Sequence, residues 1–289
     1  MKTRLSNENL QIEINSFGAE LNSIQHAGIE YLWQADKSYW ARHAPVLFPI
    51  VGKLKAGEYQ LDGEHYQMPG HGFARDNDFE LIKEDSDEVI YELRENADSL
   101  NKYPRKFRFR VAYKLTDQTI RVRYEVKNED EKFMQFGLGA HPAFNVPLKS
   151  GTFEDYKLTI SPAEKRDFIP LDPPTGLLKL KDKKEEAVSE LELNRELFKE
   201  DALVFSSSKK MAVSLTNSID AHGVRLSWEK MPYFGLWSPY PADAPFVCIE
   251  PWCGLADDEN TDGDLMTKFA INELAPEGKF VAEYEIEIF

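Results

Sequence analysis

The chain has 289 residues, 42% of them hydrophobic and 12% aromatic, with a formal net charge of −15 and a pI near 4.9. That apolar content supports a large core and excludes a disordered chain, while the acidity opposes binding to nucleic acid or to anionic membrane surfaces. No run of about 18 apolar residues occurs, and the opening Met1-Lys2-Thr3-Arg4-Leu5-Ser6-Asn7 lacks an apolar signal core, so neither a membrane span nor a secretory leader is expected, and a cytoplasmic location follows by default.

Period-two patterning dominates the chain. Leu10 to Ile14 alternates as a half-buried strand should. Glu58 to Leu61, then Asp62-Gly63, then Glu64 to Met68 predicts a hairpin, because Asp-Gly supplies the positive φ angles of a type I′ turn. Phe107 to Tyr113 and Thr119 to Val126 alternate on either side of a turn at Thr116-Asp117-Gln118, and Phe280 to Ile288 closes the chain with a further alternating strand. Helical signals are few: Val188 to Phe198 is expected to form one or two turns, with Asn194 as a cap. Pro170 to Pro174 marks a loop, and Lys179 to Glu186 a charged loop or strand edge. Many strands with frequent turns and no linker-like break predict one all-β domain over 1–289, a sandwich or a barrel rather than a parallel α/β sheet.

Several cofactor and metal motifs can be set aside. Gly137-x-Gly139 lacks the third glycine and the helix of a dinucleotide loop. Cys248 and Cys253 form one C-x4-C without a second pair, a poor zinc signal that reads better as two buried thiols. Asp258-x-Asn260-x-Asp262-Gly263 begins like a calcium loop, but Phe269 occupies the position that needs a bidentate glutamate. No metal and no cofactor is expected.

Three segments place polar side chains within apolar, turn-rich sequence. In Met68-Pro69-Gly70-His71-Gly72-Phe73-Ala74-Arg75-Asp76, the histidine between two glycines is sterically open to a ligand, although backbone groups could equally satisfy its ring. In Gly137 to Asn145, His141 ends a strand ahead of Pro142, which enforces extended backbone. In Phe246-Val247-Cys248-Ile249-Glu250-Pro251-Trp252, an apolar strand is expected to end in a glutamate. A carboxylate buried there costs several kcal/mol unless paired, and its raised pKa would suit a general base; the competing reading is a buried ion pair.

Taken together and in this order, the segments resemble the aldose 1-epimerase (galactose mutarotase-like) family, and within it a LacX-like branch. The resemblance runs from Asn15-Ser16-Phe17-Gly18-Ala19-Glu20-Leu21 through Leu47-Phe48-Pro49-Ile50-Val51-Gly52-Lys53-Leu54 and the three segments above. It implies a large antiparallel β-sandwich whose concave face holds a sugar in a cleft, with Glu250 as catalytic base, His141 as catalytic acid, and His71 and Asp201 as substrate contacts. Lys53 stands where the galactose mutarotases carry arginine, and His71-Gly72-Phe73-Ala74-Arg75 replaces a shorter His-Gly-Gly.

These residues suit anomer exchange on chemical grounds. Opening a pyranose needs one proton to leave the anomeric hydroxyl and one to reach the ring oxygen, which a carboxylate and an imidazolium on opposite sides of the sugar can provide. Trp237 and Phe144 are candidates to pack on the apolar face of the ring, or else core aromatics. Arg42, Lys53 and Arg75 flank the expected cleft and would favour a sugar phosphate over a free sugar if they converge there. The other readings are a hexose-6-phosphate 1-epimerase, a non-catalytic carbohydrate-binding or sensor protein with the same cleft, and a glycoside hydrolase or lyase. The last requires a second carboxylate, Asp201 or Asp243, facing Glu250.

Overall fold

The computed structural model describes all residues from Met1 to Phe289. Two antiparallel sheets supply most of the architecture. A four-stranded sheet runs Lys2–Ser6, Leu10–Asn15, Glu20–His26, Ile29–Glu30 in chain order. A 15-stranded sheet starts at Val46–Leu47 and crosses Leu138–Ala140, Phe246–Cys253, Tyr233–Trp237 and Leu203–Ser206. It continues through Tyr156–Ile169 to the long strands Lys279–Ile288, Thr119–Asn128 and Phe107–Thr116. Inward-facing side chains of both sheets, among them Ile12, Ile14, Phe109, Val111 and Tyr124, belong to one hydrophobic cluster of 65 buried residues that extends from Leu5 to Ile288. Tyr91 donates to Thr3 Oγ1 at 2.8 Å and Tyr113 to the Ala19 carbonyl at 2.7 Å, tying the small sheet to the large one. No helix is long and apolar enough to cross a membrane.

The alternating segments are strands with the expected faces inward: Phe107–Thr116 buries every second residue, and its partner Thr119–Asn128 does so in complementary register. The Glu58–Leu61 and Glu64–Gln67 hairpin turns through Asp62 at φ 55° and Gly63 at φ 84°, the left-handed pair that the Asp-Gly sequence favours. One expectation fails. Lys184–Glu192 is an edge strand paired with Tyr156–Ile169, and only Arg195–Phe198 is helical, a single 3-10 turn. Asn194 does cap it, accepting from Leu197 N. The error arose because Val188, Leu191 and Leu193 fit either period over so short a stretch. The one α-helix, Ala97–Lys102, was not anticipated; a capping box of Asn96 and Ser99 starts it.

Candidate active site

The Phe246–Cys253 strand is buried along its whole length, and its two faces meet different surroundings. Val247 and Ile249 enter the main core, whereas Phe246, Cys248, Glu250 and Trp252 project from the other face. Glu250 is therefore interior to a strand that continues through Pro251 to Cys253, not at the end of one.

His141 is brought to it by strand register. Leu138–Ala140 and Ala143–Asn145 both pair with this strand, Gly139 opposite Trp252 and Ala143 opposite Cys248. The register is the same on both sides of the interruption at His141-Pro142, so His141 falls opposite Glu250 and shares its face. Its Nε2 lies 3.1 Å from Glu250 Oε2, with both side chains almost wholly buried. The contact is not aligned as a hydrogen bond, and Glu250 Oε2 has no partner. Trp40 stacks on the His141 ring at 4.9 Å, and Trp237 meets it edge-on at 5.8 Å.

His71 sits in the left-handed region at φ 64°, followed by Gly72 at φ 72°. Gly72 cannot be another residue, since a Cβ there would lie 2.2 Å from the Phe48 carbonyl oxygen. The bend places His71 Nδ1 where it accepts from Gly52 N–H at 3.2 Å. Burial lowers the His71 pKa well below its usual value, so the ring is neutral and carries its proton on Nε2, available as a donor. Its ring centroid is 5.5 Å from that of His141.

These groups line one cavity of about 280 Å³, close to the lower end of small-ligand pockets, ~300–1,000 Å³. Seven of the residues singled out from the sequence reach it: Glu250 and His141 on the floor, His71, Lys53 and Arg75 from the 48–76 loops, and Asp201 and Trp237 from the other side. Trp40 and Trp252 also line it and were missed. Trp40 lies in a loop without periodicity, so nothing local marked it. A larger groove of about 460 Å³ over Trp228 and Tyr284 holds no histidine, and its Lys210 and Glu229 lie 3.9 Å apart, an ion-pair contact.

The cavity shifts its titrating groups in opposite directions. Burial, and then the Asp201 carboxylate, push the Glu250 pKa well above the usual carboxylate value. The Trp252 indole is near enough to oppose that rise but makes no aligned hydrogen bond. Burial, with Arg75 and Arg42 adding repulsion, pulls His141 down to about 3. The pair thus holds one proton, which these shifts leave on Glu250.

Three expectations change. Phe144 is fully buried in the main core and does not face the cavity; Phe144 pairs with Val247, and both point away from Glu250. Arg42 also lies outside, bound to Asp76 at 2.7 Å. Of the two candidate second carboxylates, Asp201 lines the cavity, whereas the Asp243 side chain is 89% exposed beside Arg195. Arg75 points inward but is partly committed, donating from Nη2 to the Gly70 carbonyl at 2.7 Å, while its buried Nε makes no hydrogen bond and lies 3.8 Å from Asp76 Oδ2, an ion-pair contact.

The chain is similar to known proteins over its full length. Residues 1–259 match the family model described as aldose 1-epimerase. The chromosomal protein LacX of Lactococcus lactis subsp. lactis is 35% identical over 100% of this chain and 99% of its own. A galactose mutarotase related enzyme from Lactobacillus acidophilus superposes with a TM-score of 0.98 at 36% identity, covering 100% of this chain and 97% of that one. A galactose mutarotase-like protein from Lactobacillus casei gives 0.93 at 32% identity, with both chains fully covered. With a family model matched over most of its length and relatives above 30% identity end to end, the chain belongs to the aldose 1-epimerase family.

Proposed function

We propose that the protein, acting as one domain over residues 1–289, interconverts the α and β anomers of an aldose without a cofactor. The observation that carries this is the placement of His141 opposite Glu250 in the ladder, 3.1 Å apart at the floor of a monosaccharide-sized cavity. The two groups stand side by side, not on opposite sides of the sugar as the sequence reading supposed. This suits the chemistry, because the anomeric hydroxyl and the ring oxygen are bonded to the same carbon. Once the shared proton has passed from Glu250 to His141, Glu250 takes the hydroxyl proton as His141 delivers one to the ring oxygen, and the C1–O5 bond breaks to leave an aldehyde. Rotation about C1–C2 presents the other carbonyl face. The ring closes as O5 returns its proton to His141 and Glu250 protonates O1. Both halves leave the net charge of the pair unchanged, which favours a water-poor pocket. The His71 N–H and Asp201 hold sugar oxygens, and Trp237 offers a face for the ring. NMR exchange spectroscopy across a panel of free hexoses tests the reading, and equilibration no faster than buffer for every sugar rejects it in favour of a binding or sensor role.

The shared proton sets the pH profile. With the His141 pKa lowered to about 3 and the Glu250 pKa raised, the one-proton form of the pair spans the interval between the two shifted values, and His141 does not titrate at 6.5, the ordinary histidine value. Protonation of both members removes it at the acid end, and loss of the last proton removes it at the alkaline end. No fall in kcat/KM from ionisation of His141 is therefore expected at pH 6.5. A fall centred there as pH rises would instead identify an ordinary histidinium as the acid.

Exhaustive chelation leaves the exchange rate unchanged in this mechanism, since both steps are proton transfers between side chains and sugar. Loss of activity in EDTA, restored by a divalent ion, would count against it.

A second reading has its own support. The Lys53 ammonium reaches over Gly176, where a Cβ would come within 3.2 Å of Nζ, and Arg75 Nε is buried without a hydrogen-bond partner. Two cations on one rim favour a hexose 6-phosphate, although Arg75 Nε also lies 3.8 Å from Asp76 Oδ2, an ion-pair contact a phosphate would have to outcompete. Exchange rates for glucose, galactose and their 6-phosphates, repeated with Arg75→Ala, decide between them. A phosphate subsite predicts faster exchange of the phosphates and a selective loss of that advantage, about tenfold or more, in the variant. Equal treatment of both substrate classes excludes it.

A further inference from the structure

Behind the cavity floor lies a third chemical group that proton transfer does not use. Cys248 is two residues before Glu250 on the same strand face, fully buried and reduced. Ligand atoms of His141, Cys248 and Glu250 all lie within 4.8 Å of one another. Glu250 Oε2, nine-tenths or more buried, lacks a hydrogen-bond partner. Cys248 does not line the cavity, so it stands behind the acid–base pair.

We propose that His141, Cys248 and Glu250 form an inhibitory site for a soft divalent cation, with Zn2+ and Cd2+ as the fitting class. Imidazole, thiolate and carboxylate are a ligand set that zinc accepts in three-residue sites that leave a fourth position open. The open position here faces the cavity, because His141 and Glu250 border it. A tetrahedral ion needs its ligand atoms roughly 3.5 Å apart, so side-chain rotations of about 1 Å close the set. Binding displaces the Cys248 thiol proton and the proton held by the His141–Glu250 pair, and leaves a metal thiolate in place of the acid and base. The bound ion therefore excludes catalysis and competes with sugar. Cys253 takes no part, since its side chain belongs to the main core on the opposite face of the strand.

The binding test does not depend on the mutarotase reading, whereas the inhibition test does. Metal-stripped, full-length protein is titrated with Cd2+ and followed by the ultraviolet cadmium–thiolate charge-transfer band. One equivalent is expected to saturate the band in native protein and in Cys253→Ala, and the band is expected to vanish in both Cys248→Ser and Cys248→Ala, with folding checked by circular dichroism. In parallel, Zn2+ is expected to inhibit anomer exchange competitively with sugar. Cys248→Ser retains basal exchange and requires about tenfold or more Zn2+ for half-inhibition, the least that loss of a direct ligand should cost. Absence of the band in native protein, its persistence in folded Cys248 variants, or equal zinc sensitivity with and without the thiol overturns the site. A normal band in a protein that exchanges no sugar would leave the metal site standing and reject the catalytic reading.

Discussion

Glu250→Gln is expected to lower the turnover number for anomer exchange by about 10³–10⁴-fold while the protein stays folded. General acid–base groups contribute typically ~10²–10⁴, and the upper part of that range applies because the amide cannot accept the anomeric proton and no other carboxylate stands opposite His141. Asp201 lines the same cavity but comes from a different loop, after the Arg195–Phe198 turn. Stability should move the other way. The folded pKa of Glu250 is raised, so its contribution is fully present below the ordinary value of 4.5 and declines as pH rises towards the folded value. The neutral amide lacks that penalty, so the variant should unfold at an equal or higher temperature at neutral pH, and the gap should narrow in acid. Near-native exchange rates in folded Glu250→Gln would remove the residue from the mechanism, whereas a variant that fails to fold would indicate a structural ion pair.

Much of the fold was legible because its strands keep one buried face: Phe107–Thr116, Thr119–Asn128 and Lys279–Ile288 follow their alternation over ten residues each. Lys184–Glu192 was not legible, since an exposed edge strand gains little from alternation and its charges suit a loop as well. At the site, Glu250 and His141 were visible as polar residues in apolar sequence. The boundary at Glu250 was misread because Pro251 normally signals a strand end, yet here it pairs opposite Phe234 inside the ladder. Trp40, Trp252 and Cys248 acquire their roles only through distant partners. The side-by-side arrangement of acid and base depends on two short strands sharing one register, a long-range relation that no local pattern encodes.

His141→Asn is expected to lower the turnover number by ~10²–10⁴ with a KM within about threefold of native. His71→Asn should chiefly raise KM and leave the turnover number closer to native. The contrast follows from the two environments. His141 is clamped between Trp40 and Trp237 with Nε2 against Glu250, so its distinctive property is an exchangeable proton beside the base. Asparagine keeps a polar group of similar reach but cannot shuttle that proton. His71 has its Nδ1 occupied by Gly52 N–H and offers a fixed donor from Nε2, a contact made to bound sugar and transition state alike. Removing such a uniform contact weakens binding. The His71 variant also tests the loop itself, because φ at this position is 64° and asparagine tolerates the left-handed region better than most residues, so a folding defect should be small. The pH profile separates a chemical role for His141 from a packing role. If His141 holds the shared proton, the asparagine variant loses the broad plateau and its residual activity follows the single ionisation of Glu250. An unchanged profile with a uniformly reduced rate would make His141 a positioning residue for Glu250. If both variants lose only affinity, the cavity binds sugar and the assigned acid–base roles fall.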